Sequence, residues 1–417
     1  MKKLLLLITL FTLNTHHSNS QWIQQTVPVS KPITGIKFID SLKGWACTNR
    51  GTPADTGYIL YSSNGGANWL VQLSANNVTF TDINIIDNLT GFASAYDNNI
   101  GLDKLFKTTN GGVNWSSITM VPNMAIDDMQ FLNKDSAWEC GNSIGPDVRT
   151  TTDGGNTWIV RTSGLTQSSQ RVFFLDYNTG FCGAQFNFYK TTNAGLNWVL
   201  NNNFSEIVSS IFFLNVNTGW IGASNQKIYF TSNAGANWVQ QTNPGFGGTT
   251  TDIYFINSQT GWAGNRTIYL YKTTNGGQLW GYQRDTSLSY RISILDSLRG
   301  WTADNGISRM INGGGPIIFT GLIHMGTTVP TKFILYQNYP NPFNPLTTIK
   351  IDLPEPAFVN LKICDMLGKE LETVSNEYLK AGSYSYIWNA GKFSSGIYFY
   401  RLTTGTFTET RKMILIK

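Results

Sequence analysis

The sequence predicts an all-β chain: a seven-bladed β-propeller followed by a small C-terminal immunoglobulin-like β-sandwich. Three observations carry this reading. An eight-residue box ending in Trp recurs about every 40 residues, the period at which propeller blades repeat. A strand–turn–Gly-aromatic motif precedes each box. Beyond residue 332 the repeat stops, and alternating apolar stretches bounded by Pro and Gly replace it.

The complete boxes are "SSNGGANW", "TTNGGVNW", "TTDGGNTW", "TTNAGLNW", "TSNAGANW" and "TTNGGQLW". They end at Trp69, Trp115, Trp158, Trp198, Trp238 and Trp280, spaced 46, 43, 40, 40 and 42 residues apart. At the third position stand Asn64, Asn110, Asp153, Asn193, Asn233 and Asn275. A short carbonyl or carboxylate side chain there can hold backbone N–H groups of its own turn. Gly at the fifth position is expected to take positive φ, and the Trp to pin the turn to its blade. A catalytic residue is not needed six times over, so the box is a structural turn.

Upstream lie "GIKFIDSLKGW", "DINIIDNLTGF", "DMQFLNKDSAW", "RVFFLDYNTGF", "SIFFLNVNTGW", "DIYFINSQTGW" and a seventh copy, "RISILDSLRGW". Each opens on an apolar strand. A turn follows at Asp40, Asp87, Asn133, Asp176, Asn215, Asn257 and Asp296. The second strand starts at Gly-Trp or Gly-Phe, where Gly is expected to tolerate positive φ. A third strand enters the box and a fourth leaves from its Trp. Four short strands per unit, repeated radially, make a propeller blade.

The seventh box has decayed to "MINGGGPI", with Ile317 where Trp is expected. Two segments compete for its fourth strand. "WIQQT", Trp22 to Thr26, repeats the "WVQQT" that follows the box ending at Trp238 and would close the ring from the opposite terminus. Closure of that kind removes exposed strand edges. Ile317-Ile318-Phe319 is the alternative.

The first 20 residues have the form of a secretory signal: Lys2 and Lys3, the apolar run Leu4 to Leu13, then Ser18-Asn19-Ser20 as small residues at the cleavage positions. The net charge of +5 falls to +3 without that segment. No Lys/Arg run exists, so no nucleic-acid partner is expected. Nor is a transmembrane segment, because no later apolar run is long enough. Cys47, Cys140, Cys182 and Cys364 lack a disulfide-framework spacing and are expected to be small buried hydrophobes. After the signal only His324 remains of three His, so a Ser-His-Asp triad or a multi-His metal centre has almost no raw material. No metal or cofactor is expected. The domain plan is signal 1–20, propeller 21–319, linker 320–332 and sandwich 333–417.

The box pattern, matched six times across residues 33 to 283, resembles the BNR/Asp-box repeat propellers. That group includes sialidases, sortilin-type receptors and the photosystem II assembly-factor-like family, which the "GW"-rich blades resemble most. The resemblance implies the fold; it hosts enzymes and binders alike, so it implies no chemistry. Residues 333–417 are very similar to the type A C-terminal sorting domain of the type IX (Por) secretion system of Gram-negative bacteria. The similarity runs through "NYPNPFNP" at 338–345, "DMLG" at 365–368, "GSY" at 382–384, "SGIY" at 395–398 and the ending "KMILIK". It implies passage through the periplasm and across the outer membrane by the type IX machinery, to the cell surface or beyond. In that family the domain is usually removed and the cargo is often anchored to surface lipopolysaccharide.

Chemistry is sought on the face away from the boxes, where the first strand of each blade begins at the mouth of the central channel. Its opening residues, blade by blade, are Gly35, Asp82, Asp128, Arg171, Ser210, Asp252 and Arg291, preceded in two blades by Asp127 and Tyr290. Longer loops of the early blades add Arg50, Asp103 and Arg149 on the same side. Asp82, Asp128, Arg171, Asp252, Arg291, Arg50, Asp103 and Arg149 are the candidate binding residues. Two readings stand. Asp82, Asp128 and Asp252 can supply carboxylates for glycosidase-like acid/base work, with Arg171 and Arg291 for an acidic sugar. Alternatively, Asp128/Arg171 and Asp252/Arg291 pair across adjacent blades and steady the ring. Sialidases use an arginine triad, a Tyr/Glu pair and an Asp, with an early Arg-Ile-Pro stretch, and no such stretch occurs here. The expectation is an exported, non-enzymatic propeller that binds a surface protein or glycan; the alternative is a secreted glycan-active hydrolase.

Overall fold

The computed structural model describes residues 22–49, 56–120, 126–141, 146–241, 243, 248–285, 288–315, 317, 323–324, 329–391, 393–405 and 407–416. The expected signal and the loop bearing Arg50 lie outside them. Seven four-stranded antiparallel sheets form the blades, and two further four-stranded sheets form the C-terminal sandwich. The inner strands are Ile33–Phe38, Val78–Ile85, Ile126–Phe131, Arg171–Phe174, Val208–Phe213, Asp252–Phe255 and Arg291–Ile294.

Each blade turns from its first to its second strand on the Asp or Asn named above. Asp40 Oδ1 accepts the N–H groups of Leu42 and Lys43, both at 2.7 Å, and Asn215 Oδ1 those of Asn217 and Thr218, both at 3.0 Å. The box closes the third-to-fourth turn by a related device. Asn233 Oδ1 accepts the Asn237 N–H at 2.9 Å and the Thr231 hydroxyl at 3.0 Å, while Thr231 Oγ1 accepts the Gly235 N–H at 3.0 Å. Both the fourth and fifth box residues are left-handed, so Ala194 and Ala234 sit at φ 59° and 60°.

The Gly of the Gly-Trp and Gly-Phe pairs has another cause than the expected positive φ. Gly44, Gly180, Gly219 and Gly261 are absent from the positive-φ set. A Cβ on them would lie 2.4–2.5 Å from the ring of the inner-strand Phe opposite, Phe38, Phe174, Phe213 or Phe255. Close approach requires Gly here, because any side chain would expel that ring from the seam.

The same rings join the blades. Phe213 stacks on Phe181 of the preceding blade at 3.7 Å and meets its own box Trp238 edge-on at 6.1 Å. Phe255 repeats this with Trp220 at 3.6 Å and Trp280 at 5.6 Å. Phe38 stacks on Trp301 of blade 7 at 3.5 Å, which closes the ring. Such pairs contribute about 0.5–1.5 kcal/mol each beyond the area they bury.

Blade 7 is completed by the N-terminal strand. Trp22–Gln25 pairs antiparallel with Ile307–Met310, Trp22 opposite Met310. Trp22 is 1% exposed and packs with Trp262, Ile294 and Met310. Its indole stands over Gly314, the fifth residue of the decayed box, where an added Cβ would fall 2.5 Å from Nε1. Trp22 therefore fills the site of the missing box Trp. The competing residues Ile318 and Phe319 lie outside the described residues. The second Gln of "WVQQT" also has a structural part: Gln241 Oε1 accepts from Trp280 Nε1 at 2.9 Å, and Gln241 Nε2 donates to Gly276 O of the next box at 2.9 Å.

The C-terminal sheets share a closed core that includes Ile349, Leu361, Trp388 and Tyr400. Within the expected linker, Ile323–His324 pairs antiparallel with Ser385 and Tyr384 as an edge strand of one sheet. The expected linker thus holds a two-residue edge strand, Ile323–His324.

Candidate functional site

The inner strands place two side-chain levels on the channel wall. Alternation sends the second and fourth residues of each "DIYF"-type run back into the blade seam, where nearly all are buried, and leaves most of the first and third half-buried. The first level is the column expected from sequence. The third residues, Lys37, Asn84, Gln130, Phe173, Phe212, Tyr254 and Ser293, form a second girdle that the sequence reading overlooked. The signal was there, two letters further along the same motif.

At the first level the carboxylates serve the main chain. Asp128 Oδ2 accepts the N–H of Val172 at 3.0 Å, and Asp252 Oδ2 that of Ile292 at 2.9 Å. These are the residues that follow Arg171 and Arg291. The expected carboxylate–guanidinium pairing is thus corrected: each Asp bonds the neighbouring strand beside the Arg. The guanidinia also go to main chain, Arg171 Nε to Ser209 O at 2.6 Å and Arg291 Nε to Thr34 O at 2.9 Å. At the second level Gln130 clamps Phe174, accepting its N–H at 2.6 Å and donating to its C=O at 3.0 Å. Asn84 does the same across Met129 and Phe131, and Ser293 Oγ accepts the Phe38 N–H at 2.9 Å. Inner strands have no lateral partner of their own beyond the blade, so these side chains satisfy backbone groups at the seams.

Asp82 is placed differently. Its Oδ2 accepts from Asn84 Nδ2 at 3.1 Å, and Gly35 on the preceding blade lets that strand approach closely, an added Cβ there lying 2.8 Å from Ile83 N and 3.1 Å from Asp82 Oδ1. Burial pushes Asp82 and Asp252 up to about 6, with the Arg291 charge opposing in both. Lys37 is lowered by burial, partly offset by Asp252 and Asp82. Opposite the polar arc of Asn84 and Gln130, the rings of Phe173, Phe212 and Tyr254 follow one another at 5.7 and 5.1 Å between centroids.

Asp103 and Arg149, expected on a binding face, are closed from solvent at 1% and 2% exposure. They share the blade 2–3 interior with Glu139, which is fully buried and raised well above the usual carboxylate range by burial, the Arg149 charge opposing. Arg149 lies 3.3 Å from Asp147 and 3.9 Å from Glu139. Both lie within third strands, Asp103 on the inward face of its strand and Arg149 in one whose four residues are all buried, so a loop-based expectation misplaced them. No group of three or more His, Cys, Asp or Glu side chains able to hold a metal occurs among the described residues. Cys47, Cys140, Cys182 and Cys364 are free thiols, the first three buried.

Residues 337–417 match the model of the secretion system C-terminal sorting domain family. Curated proteins yield no match. Among solved structures, YCF48 bound to D1 peptide is similar over 71% of this chain and 97% of its own, with TM-score 0.56 and 19% identity. YCF48 from Cyanidioschyzon merolae is similar over 70% and 98%, with TM-score 0.57 and 18% identity. At that identity the likeness concerns the fold. No helix among the described residues is long and apolar enough to cross a membrane. A seven-bladed ring with YCF48-like architecture is followed by a domain that belongs to the secretion system C-terminal sorting family, which marks the chain as cargo of the type IX (Por) export route.

Proposed function

We propose that this chain is an exported, non-enzymatic binding propeller, delivered to the cell surface or medium and taking a protein or glycan at the channel face. One observation carries the reading. Asp128 and Asp252, two of the three carboxylates that could do acid/base chemistry, are spent on main-chain N–H groups of the next blade. A carboxylate held in this way positions strands and is poorly placed to exchange protons with a substrate. The lumen instead offers a half-exposed aromatic arc facing Lys37 and amides, a surface suited to recognition. The similar propeller YCF48 has been solved bound to D1 peptide, which supports a peptide among the partners of this chain.

A hydrolase reading draws support from Asp82 and Asp252, both near 6, the range of a usable general acid. The mature chain, immobilised and screened against glycan and peptide arrays, separates the two. Saturable binding that weakens at least tenfold in Tyr254→Ala or Lys37→Ala supports recognition at the lumen. Failure to bind either array overturns it.

A further inference from the structure

The strand that closes the ring shares its letters with the outer strand of blade 5, and the two copies are used differently. In blade 5 both glutamines of "WVQQT" are engaged. Lys227 Nζ donates to Gln240 Oε1 at 2.8 Å, and Gln241 holds Trp280 Nε1 and Gly276 O. In blade 7 Gln25 Nε2 turns back to its own strand, to Ile23 O at 2.9 Å, and the Gln24 side chain makes no hydrogen bond among the described residues. Register gives the reason. Gln240 stands opposite Tyr229, and Gln24 opposite Ser308. The place of Lys227, two residues before Tyr229, therefore falls on Gly306 in blade 7. Gly306 suits the tight Asn-Gly turn it ends, at φ 146°. An added Cβ there would lie 3.2 Å from Gln24 Nε2. With no lysine stem in that place, the space stays open.

The space is a groove of about 580 Å³ between the Asn305-Gly306 turn and the connection from the closing strand to blade 1. That volume lies within the range of small-ligand sites, roughly 300–1,000 Å³. A second-to-third turn and a blade-to-blade connection both belong to the channel face, so the groove opens there, apart from the two side-chain levels of the lumen wall. Val27 and Val29 pack on the shared core of blades 1 and 7 and give it an apolar floor. Around them stand the amides of Gln24, Gln25 and Asn305, the hydroxyls of Thr26 and Ser30, and the Lys31 ammonium. No Asp or Glu lines it among the described residues. The side chains of Thr26, Ser30 and Asn305, like that of Gln24, make no hydrogen bond among the described residues.

We propose that this groove is a saccharide subsite, which takes a neutral or acidic sugar segment of a glycan on Gln24, Thr26, Ser30 and Asn305. Amides and hydroxyls each donate and accept, which matches the neighbouring hydroxyls of a sugar ring, and the valine floor takes its C–H face. One ammonium and no carboxylate select against a basic ligand. An extended peptide would instead add to the free edge of Trp22–Gln25 through main-chain groups and has no need of these side chains. The inference rests on the reading of this chain as a binding propeller and names a partner class and a place outside the lumen for it.

The test titrates the full mature chain with oligosaccharides of glucose, of N-acetylglucosamine and of galacturonic acid, and probes it with a peptide array. Wild type is compared with Gln24→Ala/Asn305→Ala, with the lumen variant Tyr254→Ala, and with Gln240→Ala, the same letter in its engaged setting. The expected result is saturable binding of at least one oligosaccharide by wild type, weakened at least tenfold in the double variant with an unchanged melting temperature, and normal in Gln240→Ala. Binding of the galacturonic acid oligomer alone assigns the acidic form. If the double variant melts lower, amide exchange in wild type decides: the bound sugar should slow it over residues 24–31, and no slowing there overturns the proposal. Sugar binding that survives the double variant, or falls only in Tyr254→Ala, overturns the groove and leaves the binding propeller standing. So does a double variant that loses peptides rather than sugars. If wild type binds neither class, the binding reading itself fails.

Discussion

Blades 5 and 7 fill one packing site by two routes. In blade 5 the box is continuous: Asn233 shapes the turn and Trp238, five residues on, meets Phe213 edge-on. In blade 7 the turn residues are Asn312, Gly313 and Gly314, and the indole comes from Trp22, near the other end of the chain. The backbone conformation survives, with φ 76° at Gly313 and 78° at Gly314. The difference teaches that the repeat encodes an occupied position in a seam rather than an unbroken stretch of sequence. It also ties ring closure to the N-terminal strand, since the last blade lacks both its outer strand and its indole without residues 22–25.

The sharpest way to break the comparison is to remove the two indoles. Trp22→Ala should cost about 3–5 kcal/mol, the usual range for a buried Trp, and Trp238→Ala less, because Trp238 is only partly buried. Denaturant melts of both variants check this. A Trp22→Ala loss below about 1 kcal/mol would mean that another segment fills the blade 7 site. Deletion of residues 22–26 should cost more, because strand pairing goes with the indole.

The seams offer a smaller test. Asp128→Ala and Asp252→Ala each leave a backbone N–H without its acceptor, which costs about 1–3 kcal/mol where the group is buried. Replacing Gln241 by Leu leaves Trp280 Nε1 without its acceptor, while Gly276 O keeps the Trp220 Nε1 donor at 3.2 Å, so the loss should fall at the lower end of the same range. If the Asp substitutions leave stability unchanged, the strut role assigned to them is wrong.

Stability should also depend on pH in a stated direction. Folded Asp82 and Asp252 hold their protons up to about 6, against 3.8 for the free side chain. Between those values the folded chain binds more protons than the unfolded one, so stability falls as pH rises from about 4 to about 6 and then levels off. Buried Glu139 adds to the fall in the same direction. The double variant Asp82→Asn/Asp252→Asn should show a shallower slope of melting temperature over that window. The smallest expected effect is at the box itself. Ala234 sits at φ 60°, and Ala234→Gly should stabilise by up to about 1 kcal/mol, because the relief of left-handed strain exceeds the added chain entropy of Gly.

Much of the architecture was legible in the letters. Box spacing, the Asp40-type turn residues and the "WIQQT"/"WVQQT" repeat carry local chemistry that needs no partner to be recognised. The column Asp82, Asp128, Arg171, Asp252, Arg291 was legible as a position and its role was not. Its partners are backbone N–H and C=O groups, such as those of Val172 and Thr34, which every residue type supplies and no letter distinguishes. The Gly of Gly-Trp was misjudged for a related reason: the Phe ring that forbids a Cβ lies on another strand. Arg149 and Asp103 were placed by loop position, whereas both belong to third strands, and the Arg149 strand is buried along its whole length.

The central question is whether the channel carboxylates are struts or catalysts. The purified mature chain should be incubated with a panel of polysaccharides and sialylated glycans, and release of reducing ends and free acidic sugars followed over time. No release is predicted, from the native chain or from Asp82→Asn, Asp128→Asn and Asp252→Asn. Release by the native chain that disappears in any of these variants would contradict the strut role and place an active site at the channel mouth.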